Sequence, residues 1–213
     1  MKTTFIFNTL FLEQGIIQDT TDLYYVYFKP GGVGVSLNNS SIDAICKKEG
    51  NESFIFPLSN KGYKGFVRIS PPEEVNEIFS LHYYHKNPSI YFPIDIKDTS
   101  LRTISTNEYW IITHETGHSK IKVSLYWNEA SGVSEPDSMV VARWDGLKWA
   151  NLGATETVGT PLSGYVTSDS IGEFSPFTLA STSFLNPLPL MQANLKATIQ
   201  GSKVILKAFL NEE

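Results

Sequence analysis

The stretch with the most specific chemical content is Thr113-His114-Glu115-Thr116-Gly117-His118, because it contains H-E-x-x-H. On a helix, that spacing sets two imidazoles one turn apart on one face, where they share a zinc ion, and the glutamate polarises the metal-bound water for peptide hydrolysis. The first chemistry to weigh is therefore a zinc-dependent peptidase acting through His114, Glu115 and His118. A third ligand would come from a carboxylate or from the His82-Tyr83-Tyr84-His85 segment. Other catalytic signatures are weaker still. Ser119, Ser131 and Ser163 lack a G-x-S-x-G elbow, and no dinucleotide or P-loop glycine pattern occurs. Gly31-Gly32-Val33-Gly34 opens no helix and reads as a turn, and Glu73-Glu74 follow Pro71-Pro72 in what reads as a solvated loop.

The zinc chemistry needs a helix, and the neighbouring residues argue for strands. Tyr109-Trp110-Ile111-Ile112-Thr113 precedes the motif and Ile121-Lys122-Val123-Ser124-Leu125-Tyr126-Trp127 follows it; both are rich in β-branched and aromatic residues, and Gly117 interrupts the motif itself. In the second flank Ile121, Val123, Leu125 and Trp127 alternate with Lys122, Ser124, Tyr126 and Asn128, a period of two. The segment reads as a hairpin connected over Glu115 to Ser119, with Gly117 supplying the positive φ of the turn. As one continuous strand it would hold the two imidazoles about 13 Å apart, at about 3.3 Å per residue, too far for a shared metal. His82 and His85, at odd spacing in a strand, face opposite ways. No catalytic residue, metal ligand or cofactor is assigned on these grounds.

The aromatic residues offer a second chemistry, stacking on sugar rings. Val141-Ala142-Arg143-Trp144-Asp145-Gly146-Leu147-Lys148-Trp149 is a hairpin. Closing it over Gly146 and Leu147 pairs Asp145 with Lys148 and Trp144 with Trp149, whereas an Asp145-Gly146 turn would set Arg143 against Lys148, so the first register is preferred. Trp110, Trp127 and Trp144 lie in alternating strands and read as packing residues. Trp149 and the cluster Tyr83, Tyr84, Tyr91 and Phe92 are the candidates for a carbohydrate-binding module.

The elements that must position all of these are strands. Across 213 residues, short alternating runs are broken about every ten residues by Gly, Pro, Asn, Asp or Ser, and no amphipathic helix stands out. Strands are expected at 5–12, 23–28, 53–56, 65–69, 78–84, 108–114, 121–127, 139–144, 149–152 and 164–167. The fold class is all-β, an antiparallel sandwich of Ig-like or jelly-roll-like type. A net charge of −5 with scattered Lys and Arg argues against nucleic acid as a partner, and no apolar run is long enough for a membrane-spanning helix. Cys46, the single cysteine, excludes an intrachain disulfide and reads as a small buried hydrophobe. The opening MKTTFIFNTLFLEQG is interrupted by polar residues and reads poorly as a secretion signal. Residues 1–45 are short strands with a glycine break, 46–185 form the sandwich, and 186–213 begin with the stiff Asn186-Pro187-Leu188-Pro189 linker before the start of a further β domain.

An ordered set of motifs spans most of the chain: Phe54-Ile55-Phe56-Pro57-Leu58, Glu108-Tyr109-Trp110, Leu125-Tyr126-Trp127, Val141-Ala142-Arg143-Trp144-Asp145-Gly146 with Trp149, Ser163-Gly164-Tyr165-Val166-Thr167-Ser168, Phe174-Ser175-Pro176-Phe177-Thr178-Leu179 and Asn186-Pro187-Leu188-Pro189. In order and spacing these resemble the region preceding the C-terminal sorting domain of large surface proteins exported by type IX secretion. Phe7-Asn8-Thr9-Leu10-Phe11-Leu12 with Gly15-Ile16-Ile17 resembles the last rung of the solenoid-like array found before that region. The resemblance implies a short solenoid-like segment at the N-terminus and a further Ig-like domain after Pro189. It also implies an extracellular or outer-cell-surface location and a non-enzymatic structural or adhesive role as part of a larger polypeptide. Surface glycans or other cell-surface proteins would be the partners, and the family has no catalytic residues to carry over.

Overall fold

A computed structural model of the chain describes residues 3–21, 24–186, 193–200 and 203–210. In chain order the first strands are β1 (Thr3–Leu12), β2 (Ile16–Gln18), β3 (Tyr24–Ser36), β4 (Ser41–Asp43), β5 (Ile45–Glu49), β6 (Phe54–Phe56), β7 (Ser59–Asn60), β8 (Tyr63–Lys64), β9 (Val67–Ile69) and β10 (Ile78–Tyr84). They are followed by β11 (Thr103–Ile104), β12 (Tyr109–Thr116), β13 (Val123–Asn128), β14 (Met139–Trp144), β15 (Trp149–Asn151), β16 (Glu156–Thr160), β17 (Ser163–Thr167), β18 (Pro176–Ser181), β19 (Ala193–Gln200) and β20 (Lys203–Leu210). The helical segments among the described residues are single 3-10 turns, and no helix there is long and apolar enough to cross a membrane.

The chain forms the expected all-β sandwich. A nine-stranded sheet runs β1-β3-β5-β10-β12-β18-β14-β15, with β11 also paired to β18, and a five-stranded sheet runs β16-β17-β13-β9-β6. Leu81, Trp110, Ile112, Val141, Phe177 and Leu179 of the larger sheet share one buried core with Phe56, Val67, Ile69, Val123, Leu125 and Trp127 of the smaller. The period-two pattern read after the H-E-x-x-H stretch is realised here: Ile121, Val123, Leu125 and Trp127 are buried while Lys122, Tyr126 and Asn128 are not, and Ser124 on that outer face is buried as well, covered beside Thr167 and Arg68. Burying each such side chain is worth about 1.5–3 kcal/mol, which is why the alternation decides the face.

The N-terminal segment is solenoid-like. β1 runs parallel to β3 and β3 parallel to β5, while β2 runs parallel to β4. Thr3 lies beside Tyr24 and Tyr25 beside Ile45, so the chain returns to the same position after roughly twenty residues, as in the coils of a stacked β-solenoid. Its core is continuous with that of the sandwich, since Val26, Phe28, Ile42 and Cys46 belong to the same buried cluster. β5 is the junction, because it pairs parallel to β3 on one edge and antiparallel to β10 on the other. The buried Lys48 ammonium is held there by the Lys29 carbonyl at 3.1 Å and the Glu52 carboxylate at 2.8 Å.

Gly31-Gly32-Val33-Gly34 is not the expected turn. It lies within the long strand β3, where the β1–β3 register shifts between Phe7 and Thr9. Gly31 takes φ +72°, and a Cβ on Gly32 would strike the Lys29 carbonyl, so the glycines serve a bulge inside a strand. At the other end of the chain, β19 and β20 pair as a hairpin closed at Gln200 and Lys203. The Pro187–Pro189 part of the expected linker lies outside the described residues.

Candidate functional site

The H-E-x-x-H residues sit on a strand and the loop that leaves it. His114 and Glu115 are in β12, while Gly117 and His118 follow it. The expected hairpin is not formed. β12 pairs with β10 and β18 in the large sheet, and β13 pairs with β9 and β17 in the small one, so the connection is an arch between the two layers. A period-two flank on each side is equally compatible with both connections; here β10 lines one edge of β12 along its length and β18 takes the other edge at Trp110 and Ile111. Gly117 takes φ +105°, the positive value the turn was expected to need.

What organises this arch is Glu77, a buried carboxylate 37 residues upstream of His114. Its Oε2 lies 2.5 Å from His114 Nε2, and its Oε1 accepts the His118 N–H at 3.1 Å, the Ser119 N–H at 3.1 Å and the Ser119 hydroxyl at 2.6 Å. Burial works to raise the Glu77 carboxyl, but the Ser119 hydroxyl, the His118 and Ser119 N–H groups and His114 outweigh it, and the carboxyl sits below its ordinary value. The His114 ring stacks on Phe79 with centroids 4.2 Å apart and meets Phe174 edge-on at 5.3 Å. Glu115 pairs instead with Lys47 at 2.7 Å. A Cβ on Gly117 would run into the Glu77 carboxylate.

His114 and the His118 N–H converge on Glu77 while Glu115 turns to Lys47, and the segment is a strand and loop, so the helical zinc arrangement is not formed. Among the described residues, no group of three or more His, Cys, Asp and Glu side chains is placed to hold a metal ion. His82 stays with Tyr84, their rings 4.4 Å apart, while His85 stacks on Tyr63 at 3.6 Å. Burial, with Lys61 nearby, holds the His85 imidazole below its ordinary value.

Of the sugar-stacking candidates, Trp149 and Tyr83 are fully buried and present no face to a ligand. Trp144 and Trp149 do pair across the hairpin as expected, 5.8 Å apart and close to edge-on, with the Asp145 N–H donating to the Lys148 carbonyl at 3.0 Å. They pack with Phe92, Leu101, Ile104 and Val140 into a second cluster, formed on the far face of the large sheet from the main core. Tyr91 remains exposed beside Lys86. Trp110 and Trp127 are buried, and their Nε1 groups donate to the carbonyls of Gly65 and Thr160, both at 2.8 Å.

A titratable group that the sequence did not single out is Glu108. It is buried, and its Oε2 accepts the Tyr83 hydroxyl at 2.7 Å, while Oε1 lacks a well-formed hydrogen bond although the Ser131 hydroxyl lies near the carboxyl. Burial pushes its carboxyl up to about 7, against the nearby Ser131 and Tyr83 hydroxyls that pull it down. Neither Glu77 nor Glu108 carries a local signal: each is one acid among many until the sheets bring its distant partners to it. No protein-family model matches the chain, and neither a curated protein nor a solved structure matches it.

Proposed function

We propose that the chain is a non-catalytic structural module of an adhesive extracellular or outer-cell-surface protein, in which the sandwich closes one end of a parallel β-coil. The observation that carries this reading is the edge strand β1. It is ten residues long, among the described residues it pairs with β3 alone, and Phe5, Ile6 and Phe11 are more than half exposed along it. A long apolar edge is an aggregation hazard in a free-standing domain and a joint in an assembled one. The motif order that resembles surface proteins of type IX secretion supports the same reading, and the motif most specific for catalysis is spent on holding the arch between the layers.

The test is accessibility on the native cell. Intact cells of the source organism, treated with an impermeant biotinylation reagent or external protease, should lose or label this protein while a cytoplasmic marker is untouched. Recovery of the protein only after lysis would overturn the proposed location, and hydrolysis of a peptide or glycoside substrate by the purified chain would overturn the non-catalytic role.

A further inference from the structure

The outer face of the five-stranded sheet carries a row of side chains that crosses every strand. Ile55 lies beside Arg68, Arg68 beside Ser124, Ser124 beside Thr167, and Thr167 beside Glu156. Their chain neighbours Phe54, Val67, Leu125 and Val166 are buried in the core, which fixes the row on the opposite side. One step along the strands Tyr126 lies beside Tyr165, their rings 5.2 Å apart. On the other side of the row is Lys122, whose backbone N–H donates to the Ser70 hydroxyl at 2.9 Å. A groove of about 440 Å³ opens here, lined by Arg68, Lys122, Glu156, Ser124, Thr155 and Thr167 among others.

The groove is held in a set geometry. Arg68 Nε donates to Ser124 Oγ at 3.2 Å, its Nη2 reaches Glu156 at 3.2 Å, and its guanidinium lies 4.9 Å from the centre of the Tyr165 ring. The Ser124 and Thr167 hydroxyls are 2.9 Å apart at the floor, and both residues are buried. Two cations stand against one carboxylate, in a chain whose net charge is −5. A planar guanidinium fixed on three sides is suited to a carboxylate, since it offers paired N–H groups without a further loss of rotamer freedom. The rim offers the exposed Lys122 ammonium and Thr155 hydroxyl to the hydroxyls of a bound sugar.

We propose that this groove binds an acidic saccharide, a pyranose chain bearing carboxylates, with Arg68 and Lys122 receiving the carboxylate. The exposed Thr155 hydroxyl accepts from a ring hydroxyl, while the buried Ser124 and Thr167 hydroxyls, paired with each other, and the Tyr165 ring hold Arg68 in place. The site is separate from Trp149 and the Tyr83 to Phe92 cluster, and it does not depend on the structural role proposed above.

Titration calorimetry of the whole chain with tetragalacturonate, beside its neutral galactose counterpart, tests it. Binding of the acidic oligosaccharide that weakens with added salt is expected, with the neutral one at least tenfold weaker. Lys122→Gln, an exposed change, and Arg68→Lys, which keeps the charge and removes the fork, should each weaken binding about tenfold, the effect of losing one charge-assisted hydrogen bond. An unchanged melting temperature in Lys122→Gln would show that its loss is one of binding. No detectable heat with wild-type protein, equal binding of the neutral sugar, tighter binding of a sulfated galactan fragment, or wild-type affinity in both variants would each overturn the assignment.

Discussion

Replacing Glu77 tests directly whether the arch after β12 is a structural clamp. In Glu77→Ala the Ser119 N–H and hydroxyl, buried with their residue, lose their acceptor, and His114 and the His118 N–H lose theirs. A hydrogen bond to a charged group contributes about 1.5–3 kcal/mol, and water can reach the exposed His118 side of the loop, so about two of the four contacts count in full. The expected loss is about 3–5 kcal/mol, or a melting temperature lower by roughly 6–20 °C for a chain of this size. Glu77→Gln keeps one acceptor oxygen for Ser119 and His118 and turns an amide N–H₂ toward His114, so it removes mainly the charge and should cost about 1–2 kcal/mol. The pH profile supplies the sign. The folded Glu77 carboxyl lies below its ordinary value of 4.5, so its stabilisation is present above that value and is lost as the pH falls through the lowered folded value. Urea unfolding followed by circular dichroism between pH 2 and 7 should show this acid-side loss in the wild type and a smaller one in Glu77→Gln. A cost below about 1 kcal/mol for Glu77→Ala, or equal damage from both substitutions, would refute the clamp.

Further tests follow from the same geometry. Gly117→Ala should destabilise by about 2 kcal/mol or more in thermal unfolding, because it combines φ +105° with a Cβ directed at the Glu77 carboxylate. Glu108→Gln should stabilise the protein at neutral pH. The folded Glu108 carboxyl titrates near 7 and the unfolded one near 4.5, so the wild type loses stability as the pH rises through that interval. The advantage of the glutamine should be about 3 kcal/mol in urea unfolding at pH 8 and should vanish at pH 4. Ile6→Lys with Phe11→Lys should reduce concentration-dependent association in sedimentation velocity while leaving the melting temperature within about 2 °C, since both side chains are exposed on the edge strand.

The sandwich was legible wherever one face of a strand is buried and the other is not. Leu125 to Asn128 shows this most clearly, with the β14–β15 hairpin close behind, because Trp144 and Trp149 select their own register. β18 was not read as a strand although it pairs with β11, β12 and β14. Phe177 to Ser181 are all buried, so no alternation marks them. The arch reads as a hairpin because short sequence separation favours local pairing, and nothing near residue 117 announces that β13 will pair with β9 and β17 in the other sheet. Of the candidate site, the mismatch between H-E-x-x-H and its flanks was visible, whereas Glu77 was not. The groove residues Arg68, Ser124, Thr167 and Glu156 come from four strands and converge only through register.

β5 is hydrogen-bonded along both edges, to a parallel neighbour on one side and an antiparallel one on the other. Among the described residues no linker separates the coil from the sandwich at this joint. The coil must melt with the sandwich as one cooperative unit, so amides of β3 and β10 should exchange with solvent at matching rates under conditions where whole-molecule opening dominates. A tug arriving through the coil would likewise be met by the shared ladder of a nine-stranded sheet, which spreads the load instead of concentrating it at a single joint.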